Sequence, residues 1–321
     1  MPGIGEVDDA YLGTLAGAAE GAAAAALSDA RRSDFSFSAE ALEPIGFNRR
    51  TGDFDGIDPY LKVATFSRTD GRIFLLSYAC HAVTVGRKPV VSADWPGAAV
   101  RALEARGHRA LVLQGFCGDI DPVTNLNRWG EGTTEDLNLY GEIMAGRAVK
   151  AAAAAAATPE PRLRSAEKRV RVPLDVPPRE AIAGLADDFL KKNARFPMAD
   201  RFAAEWKKRA LRAYDSIAAK PFVDRAPVQA MAVGEMKLIA LPGEVFSAYG
   251  LMLRKEFATL LPAGYANGNI GYLPSGRAFE DPDDYASRYA PMFYTVFPFR
   301  SDLPLLIVGT ARELLASLGG P

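Results

Sequence analysis

One histidine stands out among the residues whose types and spacing could do chemistry. His81 lies in the segment YACHAV, directly after an apolar run, and the chain has only two histidines in 321 residues. The turn SADWPG follows at residues 92–97 and brings Asp94 close behind. An imidazole binds metals and transfers protons near neutral pH, although a histidine at a strand end is also often purely structural. His81 is therefore a candidate that needs partners.

Three further segments place polar side chains directly after apolar runs. They are GDIDP with Asp119 and Asp121, LPGEV with Glu244, and NGNIGYLPS with Tyr272. Because ligands collect where strands of an α/β sheet end, we expect these side chains to meet at one sheet edge. Each also has a structural explanation, since aspartates cap helices and make turns, a glutamate favours a helix start, and tyrosines pack.

Motifs of the common enzyme classes are absent from the sequence. There is no GxSxG, HExxH, GxxxxGK[ST] or CxxC segment. We expect His108 to lie at a surface helix end, and we expect Cys80 and Cys117 to be buried free thiols, because both follow apolar strand-like text. The chemistry therefore depends on the segments around His81.

Apolar periodicity and turn residues predict an α/β fold that positions these segments. Helices are expected at residues 9–30, 94–107, 137–157, 178–194, 199–219 and 303–318, and strands at 61–67, 72–78, 109–115, 168–176, 228–233 and 236–241. We expect the first helix to cover a sheet with its apolar stripe. Glu244 is expected to start another helix.

Composition and charge narrow the class of protein. The 38 basic and 39 acidic residues nearly cancel and form no basic stripe, which argues against nucleic acid as a partner. The longest apolar runs are shorter than the ~20 residues of a transmembrane helix. The first residues have no signal-peptide pattern, so we expect a cytoplasmic protein, or an exported one if the true start lies upstream.

The quoted segments together resemble a known family. YACHAV, SADWPG, LQGFCGDIDP, LPGEVFSAYG, NGNIGYLPS and DPDDYASRYAP follow one another as in the catalytic domain of the neutral (non-lysosomal) ceramidases and their bacterial relatives. The resemblance covers nearly the whole chain. It implies a single α/β domain over residues 1–321, with layered mixed β-sheets flanked by helices. We do not expect the C-terminal immunoglobulin-like domain of that family, because the sequence ends soon after the helix predicted from Leu303.

The resemblance also implies a metal site. In that family two histidines, a glutamate and a tyrosine hold a zinc ion that activates water for hydrolysis of an amide. Carried over, the ligands here would be His81, Glu244 and Tyr272, and Tyr289 in SRYAP would help to orient the substrate. A histidine and a carboxylate with one open position are also, independently, the pattern of catalytic zinc.

The sequence departs from the family pattern in two ways that affect the predicted metal site and substrate. No HTHSGP-like or HTHSAP-like segment, which carries the family's first zinc histidine, precedes His81, so the chain resembles an N-terminally incomplete domain. Asp121 stands where ceramidases carry serine. We expect Asp121 or Tyr289 to assist proton transfer or position the substrate, and Asp94 and Asp119 to support the ligands from behind.

Two functional hypotheses follow. The first is a zinc-dependent hydrolase of the ceramidase superfamily that cleaves an amide (N-acyl) bond in a small or lipid-like substrate, such as a sphingolipid. The second is a truncated or impaired domain that binds a ligand or partner without turnover, because His81, Glu244 and Tyr272 alone would be a weak ligand set.

Overall fold

Twelve strands and seven helices make up the structure, a computed structural model that describes residues 7–194 and 197–319. In chain order the strands are β1 (Asp34–Ala41), β2 (Gly46–Asn48), β3 (Tyr60–Arg68), β4 (Gly71–Tyr78), β5 (Arg109–Gln114), β6 (Ile120–Pro122), β7 (Leu163–Pro173), β8 (Phe222–Val233), β9 (Met236–Ala240), β10 (Glu244–Val245), β11 (Leu260–Ala263) and β12 (Tyr272–Leu273). The helices are α1 (Asp9–Ser28), α2 (Asp94–Glu104), α3 (Thr134–Ala154), α4 (Ile182–Lys192), α5 (Ala199–Ala219), α6 (Ser247–Arg254) and α7 (Leu303–Ser317).

Two four-stranded mixed sheets form the centre. Sheet I has the order β1-β3-β4-β5, in which only β4 and β5 run parallel. Sheet II has the order β11-β9-β8-β7, in which only β11 and β9 run parallel. The hairpins β3–β4 and β8–β9 were both predicted, because Asp70-Gly71 and Gly234 supply the turns.

The sheets stack face to face with helices outside them. Phe35 and Ala64 of sheet I contact Met236 and Leu261 of sheet II. Helices α2 and α3 bury the outer face of sheet I, and α6 and α7 bury the outer face of sheet II. This arrangement confirms the predicted class of layered mixed sheets flanked by helices.

Close helix packing on sheet I uses small residues. A Cβ added at Gly141 of α3 would lie 2.6 Å from the backbone of Ala98 in α2, so the two helices approach as closely as backbones allow. The alanine-rich sequence of α3 thus provides a surface for close packing as well as high helix propensity.

Helices α4 and α5 form a separate layer. Phe189 of α4 and Phe202 of α5 pack together with Met292 and Phe297 from the segment before α7. None of the helices within the described ranges combines the length and apolar character that crossing a membrane requires.

Two predictions about local structure are wrong. No residue of α1 is buried, so its apolar stripe does not cover a sheet. Alanine propensity and the Asp8 side chain, which accepts from the Tyr11 N–H as the N-cap, favour the helix, and Asp29 at its end pairs with Arg68 and Arg109. Glu244 does not start a helix either. It lies in β10, and α6 begins at Ser247 after an extended Phe246.

Candidate active site

Short strands outside the two main sheets carry three of the predicted site residues, Asp121, Glu244 and Tyr272. In the parallel pair β10–β12, Glu244 lies directly opposite Tyr272. In the antiparallel pair β2–β6, Asp121 lies opposite Phe47. His81 follows the end of β4, and its backbone N–H donates to the Ile120 carbonyl at 2.9 Å. The structure thus brings His81, Asp121, Glu244 and Tyr272 to one edge, as the sequence predicted.

Three atoms that could serve as metal ligands form a nearly equilateral triangle at this edge, which we call the donor triangle. His81 Nε2 lies 3.1 Å from Glu244 Oε2, and the Tyr265 hydroxyl lies 3.2 Å from that nitrogen and 3.1 Å from that oxygen. Tyr265 was not among the predicted residues. Its backbone has φ +53°, which is uncommon for a bulky side chain and marks a constrained position.

The imidazole of His81 is held from behind. Nδ1 lies 2.9 Å from the Ile120 carbonyl, which can only accept, so Nδ1 carries a proton and Nε2 faces the triangle. Trp95 Nε1 donates to the His81 carbonyl at 3.1 Å. Burial lowers the pKa of His81, but the neighbouring Cys117 and Glu244 side chains raise it more, to about 10.

Glu244 is an ionised carboxylate in this arrangement. Burial raises its pKa, but hydrogen bonds from His81 and Tyr294 outweigh burial and leave the pKa lowered. The Tyr294 hydroxyl donates to Oε1 at 2.6 Å, while Oε2 belongs to the triangle. Tyr294 is a second residue that the sequence did not reveal, and its ring is partly exposed to solvent.

Arg49 joins Tyr272 to Asp121. Its Nη2 donates to the Tyr272 hydroxyl at 3.0 Å and to the Gly118 carbonyl at 2.8 Å, and Nη1 lies 3.4 Å from Asp121 Oδ1. Tyr272 lies beside the triangle, because it is opposite Glu244 in the β10–β12 pair and its ring centroid is 6.4 Å from that of His81. Burial raises the pKa of Tyr272, so its phenol is neutral. No pattern in the sequence identified Arg49, which follows the short strand β2.

The three predicted aspartates make different contacts around His81. Asp121 is buried, with Oδ1 3.7 Å from His81 Nδ1, on the side of the ring away from the triangle. Asp119 accepts from the Ser247 N–H at 2.7 Å and thereby caps α6, three residues beyond Glu244. Asp94 accepts from the N–H groups of Val85 and Trp95, so it supports the tryptophan that binds the His81 carbonyl.

Tyr289 lies in the helical layer. Its ring packs against Phe189 and under the Lys192 ammonium, and it lines a cavity of about 480 Å³ between α4, α5 and residues 282–298. Tyr294, five residues later, takes the place beside Glu244. A role for Tyr289 in positioning the substrate stays a prediction.

A zinc ion fits the donor triangle in chemistry and in spacing. Catalytic zinc takes nitrogen and oxygen ligands with one open position, and bonds of about 2.0 Å in a tetrahedron separate neighbouring ligands by about 3.3 Å. The three edges of 3.1–3.2 Å match that spacing. The described part of the chain contains no group of three or more His, Cys, Asp or Glu that could hold a metal, so a site here requires a tyrosine.

Solved structures with the same architecture exist. A neutral ceramidase from Pseudomonas aeruginosa and a structure described as ceramidase complexed with C2 each superpose with a TM-score of 0.60 at 16% sequence identity. The match covers 89% of this chain. The chain has the neutral ceramidase fold. This ceramidase-like domain spans about half the length of those proteins, covering 52% and 53% of their chains. Its sequence matches no protein-family model and no curated protein.

Proposed function

We propose that this ceramidase-like domain is a zinc-dependent hydrolase that cleaves an N-acyl amide bond. The observation that carries the proposal is the triangle of His81 Nε2, Glu244 Oε2 and the Tyr265 hydroxyl, whose edges suit a tetrahedral zinc ion with one open position. The neutral ceramidase fold agrees with it. Zinc, when bound there, would supply the Lewis acidity that activates water and polarises an acyl carbonyl.

The residues around the triangle have distinct tasks in this proposal. His81, Glu244 and Tyr265 would hold the metal. The Arg49 guanidinium and the Tyr272 hydroxyl, which are bonded to each other at 3.0 Å, would stabilise negative charge that develops on the acyl oxygen. Because Asp121 contacts both Arg49 and the back of His81, we assign it a positioning task.

The donor set also favours a second candidate, a domain that binds a ligand without turnover. Only one imidazole and one carboxylate meet at the triangle, and the third donor is a phenol that burial and neighbouring acidic groups keep neutral by raising its pKa. A phenol must lose its proton to bind zinc well, so the site would bind zinc weakly.

Metal binding and hydrolysis measured together decide between these functions. Chelator-treated protein is titrated with zinc by calorimetry, and hydrolysis of a panel of long-chain N-acyl amides is followed with and without zinc. His81→Ala is compared with His108→Ala, because the His108 ring packs on Phe74 outside the triangle. We expect one zinc per chain, zinc-dependent amide cleavage, and loss of both only in His81→Ala.

Two results would overturn the first function. Zinc binding by wild type and His81→Ala with equal affinity would place the metal elsewhere. Stoichiometric zinc binding at the triangle without cleavage of any amide in the panel would support the binding domain instead. Thermal unfolding of each variant checks that a lost signal reflects the site rather than the fold.

A further inference from the structure

A small charged pocket opens next to the triangle. It has a volume of about 270 Å³ and is lined by Arg49, Arg50, Phe246, Asp284, Tyr285 and Ala286. The Tyr285 ring packs edge-on against Tyr272 at 5.8 Å, and the Tyr272 ring in turn lies 6.4 Å from His81. A ligand in this pocket is therefore separated from the imidazole by one aromatic ring.

Arg50 is held in place in this pocket but is mostly unused. Its Nε donates to Asp284 Oδ2 at 2.8 Å, and its guanidinium carbon lies 5.6 Å from the centre of the Phe246 ring. Asp284 is itself fixed, because Oδ1 accepts from the Ser287 N–H at 2.8 Å. A guanidinium has five N–H donors. The four on Nη1 and Nη2 of Arg50 have no hydrogen-bond partner among the described residues.

A pre-oriented guanidinium with free Nη atoms is suited to a carboxylate. Two parallel N–H donors match the two oxygens of a carboxylate, and the bidentate pair is among the strongest charge-assisted hydrogen bonds. Stacking on Phe246 and pairing with Asp284 have already ordered the Arg50 side chain, so less conformational entropy is lost on binding.

We propose that this pocket binds a carboxylate of the substrate, so that the substrate is an N-acyl amide whose amine part carries an acid group, as in an N-acyl amino acid. The proposal rests on the proposed function and narrows it. The size of the pocket agrees, since about 270 Å³ is below the ~300–1,000 Å³ of pockets for whole drug-sized ligands and suits a head group. The acyl carbon would then lie on the far side of Tyr272, toward His81.

The test compares two amides that differ only at the head group. N-dodecanoylglycine carries a carboxylate, and N-dodecanoylethanolamine has a neutral hydroxyl in its place. Binding of each is measured by calorimetry on chelator-treated protein, in which binding can be observed separately from turnover. We expect wild type to bind the acid at least about 10-fold more tightly, as expected for a charge-assisted bidentate pair.

Three variants locate the preference. Arg50→Gln removes the charge and should bring the acid-to-alcohol affinity ratio close to one. Arg50→Lys keeps a charge for Asp284 but lacks the fork, so the ratio should fall to an intermediate value. Arg277→Gln is the matched control, because Arg277 is an exposed arginine of the same region that does not line the pocket. It should retain the wild-type ratio.

The outcomes distinguish this inference from the proposed function. Equal binding of the two amides by wild type, or a preference that survives in Arg50→Gln, overturns the carboxylate pocket even if zinc-dependent hydrolysis is found. Selective binding of the acid through Arg50 without hydrolysis supports the pocket and counts against the enzyme. If Arg50→Gln fails to fold, an unchanged ratio in Arg50→Lys would be the contradicting result.

Discussion

His81 and Glu244 are 163 positions apart in the chain, yet His81 Nε2 and Glu244 Oε2 lie 3.1 Å apart because one loop holds both residues. The Ile120 carbonyl accepts from the backbone and the Nδ1 atom of His81. Two residues earlier, the Gly118 N–H donates to the Val245 carbonyl at 2.7 Å. The GDI segment therefore sets the distance between imidazole and carboxylate.

Gly118→Ala should break this relationship. A Cβ at position 118 would lie 2.4 Å from the Glu244 carbonyl oxygen and 2.9 Å from Phe246, so β10 must shift. Overpacking of this kind costs about 1–3 kcal/mol. Urea denaturation should show that loss, and zinc titration should show weaker binding.

Gly146→Ala provides the control for the glycine substitution. Gly146 lies in α3 with nothing within 4 Å of its added Cβ. Alanine there should stabilise the protein by about 0.5–1 kcal/mol, because glycine is unfavourable inside helices. If both variants show the same change in unfolding free energy, β10 does not depend on the close approach at Gly118.

Tyr265→Phe should weaken zinc binding more than Tyr272→Phe does. The Tyr265 hydroxyl is within 3.2 Å of both His81 Nε2 and Glu244 Oε2, whereas the Tyr272 hydroxyl accepts from Arg49. We expect at least a 10-fold loss of affinity for the first variant, the scale on which disturbed metal sites lose affinity. Competition with a chromophoric chelator measures it.

An independent readout follows from the chemistry of a phenol ligand. A tyrosine that binds zinc loses its proton, so zinc should produce a phenolate difference spectrum in the ultraviolet. The spectrum should vanish in Tyr265→Phe and persist in Tyr272→Phe. The reverse result would return Tyr272 to the ligand set implied by the family resemblance.

The sequence predicted those parts of the site that follow strong local patterns. His81, Asp121, Glu244 and Tyr272 each follow an apolar run. His81 lies beyond the end of β4, which runs parallel to β5, and Glu244 and Tyr272 lie side by side in the parallel pair β10–β12. Helix and hairpin positions were predicted for the same reason, since periodicity and turn chemistry act over a few residues.

The remaining site residues depend on contacts between distant segments. Arg49 reaches Asp121 because β2 pairs with β6, and Tyr265 reaches Glu244 through a backbone of positive φ. Neither contact leaves a periodic pattern in the amino-acid sequence. The different places of the Tyr289 and Tyr294 side chains similarly depend on a π-helical turn at Tyr285–Tyr289 and the short helical turn after it.

Protonation of Asp119 should stabilise the folded state at acid pH. Burial raises its pKa above 3.8 despite the opposing hydrogen bonds from Ser247, so the folded protein binds this proton more tightly than the unfolded chain does. Its contribution to stability should therefore fall as the pH rises from about 3.8 through the raised pKa. Asp119→Asn should remove that slope from the unfolding free energy.

Asp29 should change the stability in the opposite direction, and at pH values below 3.8 rather than above it. Hydrogen bonds from Arg68 and Arg109 lower its pKa, so it stabilises the folded state above pH 3.8 and loses that effect as the pH falls. Asp29→Asn should thus reduce the loss of stability in acid. Unfolding curves recorded at several pH values measure both slopes, and equal slopes in the two variants would contradict the opposite pKa shifts.

Arg49 and Asp121 should be energetically coupled. Asp121 is buried and Arg49 Nη1 lies 3.4 Å from its Oδ1, while Nη2 of the same guanidinium holds Gly118 and Tyr272. Arg49→Met leaves the buried carboxylate without its arginine, and loss of one partner from a buried ion pair costs about 3 kcal/mol in comparable cases. Once Asp121→Asn has removed that charge, the same arginine substitution should cost less.

A double-mutant cycle measures this coupling. The unfolding free energy of the Arg49→Met/Asp121→Asn variant should be higher than the sum of the single changes predicts, by about 1 kcal/mol or more. Asp215→Asn is the control partner, because Asp215 is exposed and pairs with Arg179. Additivity with Asp215 is expected. Additivity with Asp121 as well would mean that Arg49 is held by Gly118 and Tyr272 alone, and that Asp121 has no positioning task at the triangle.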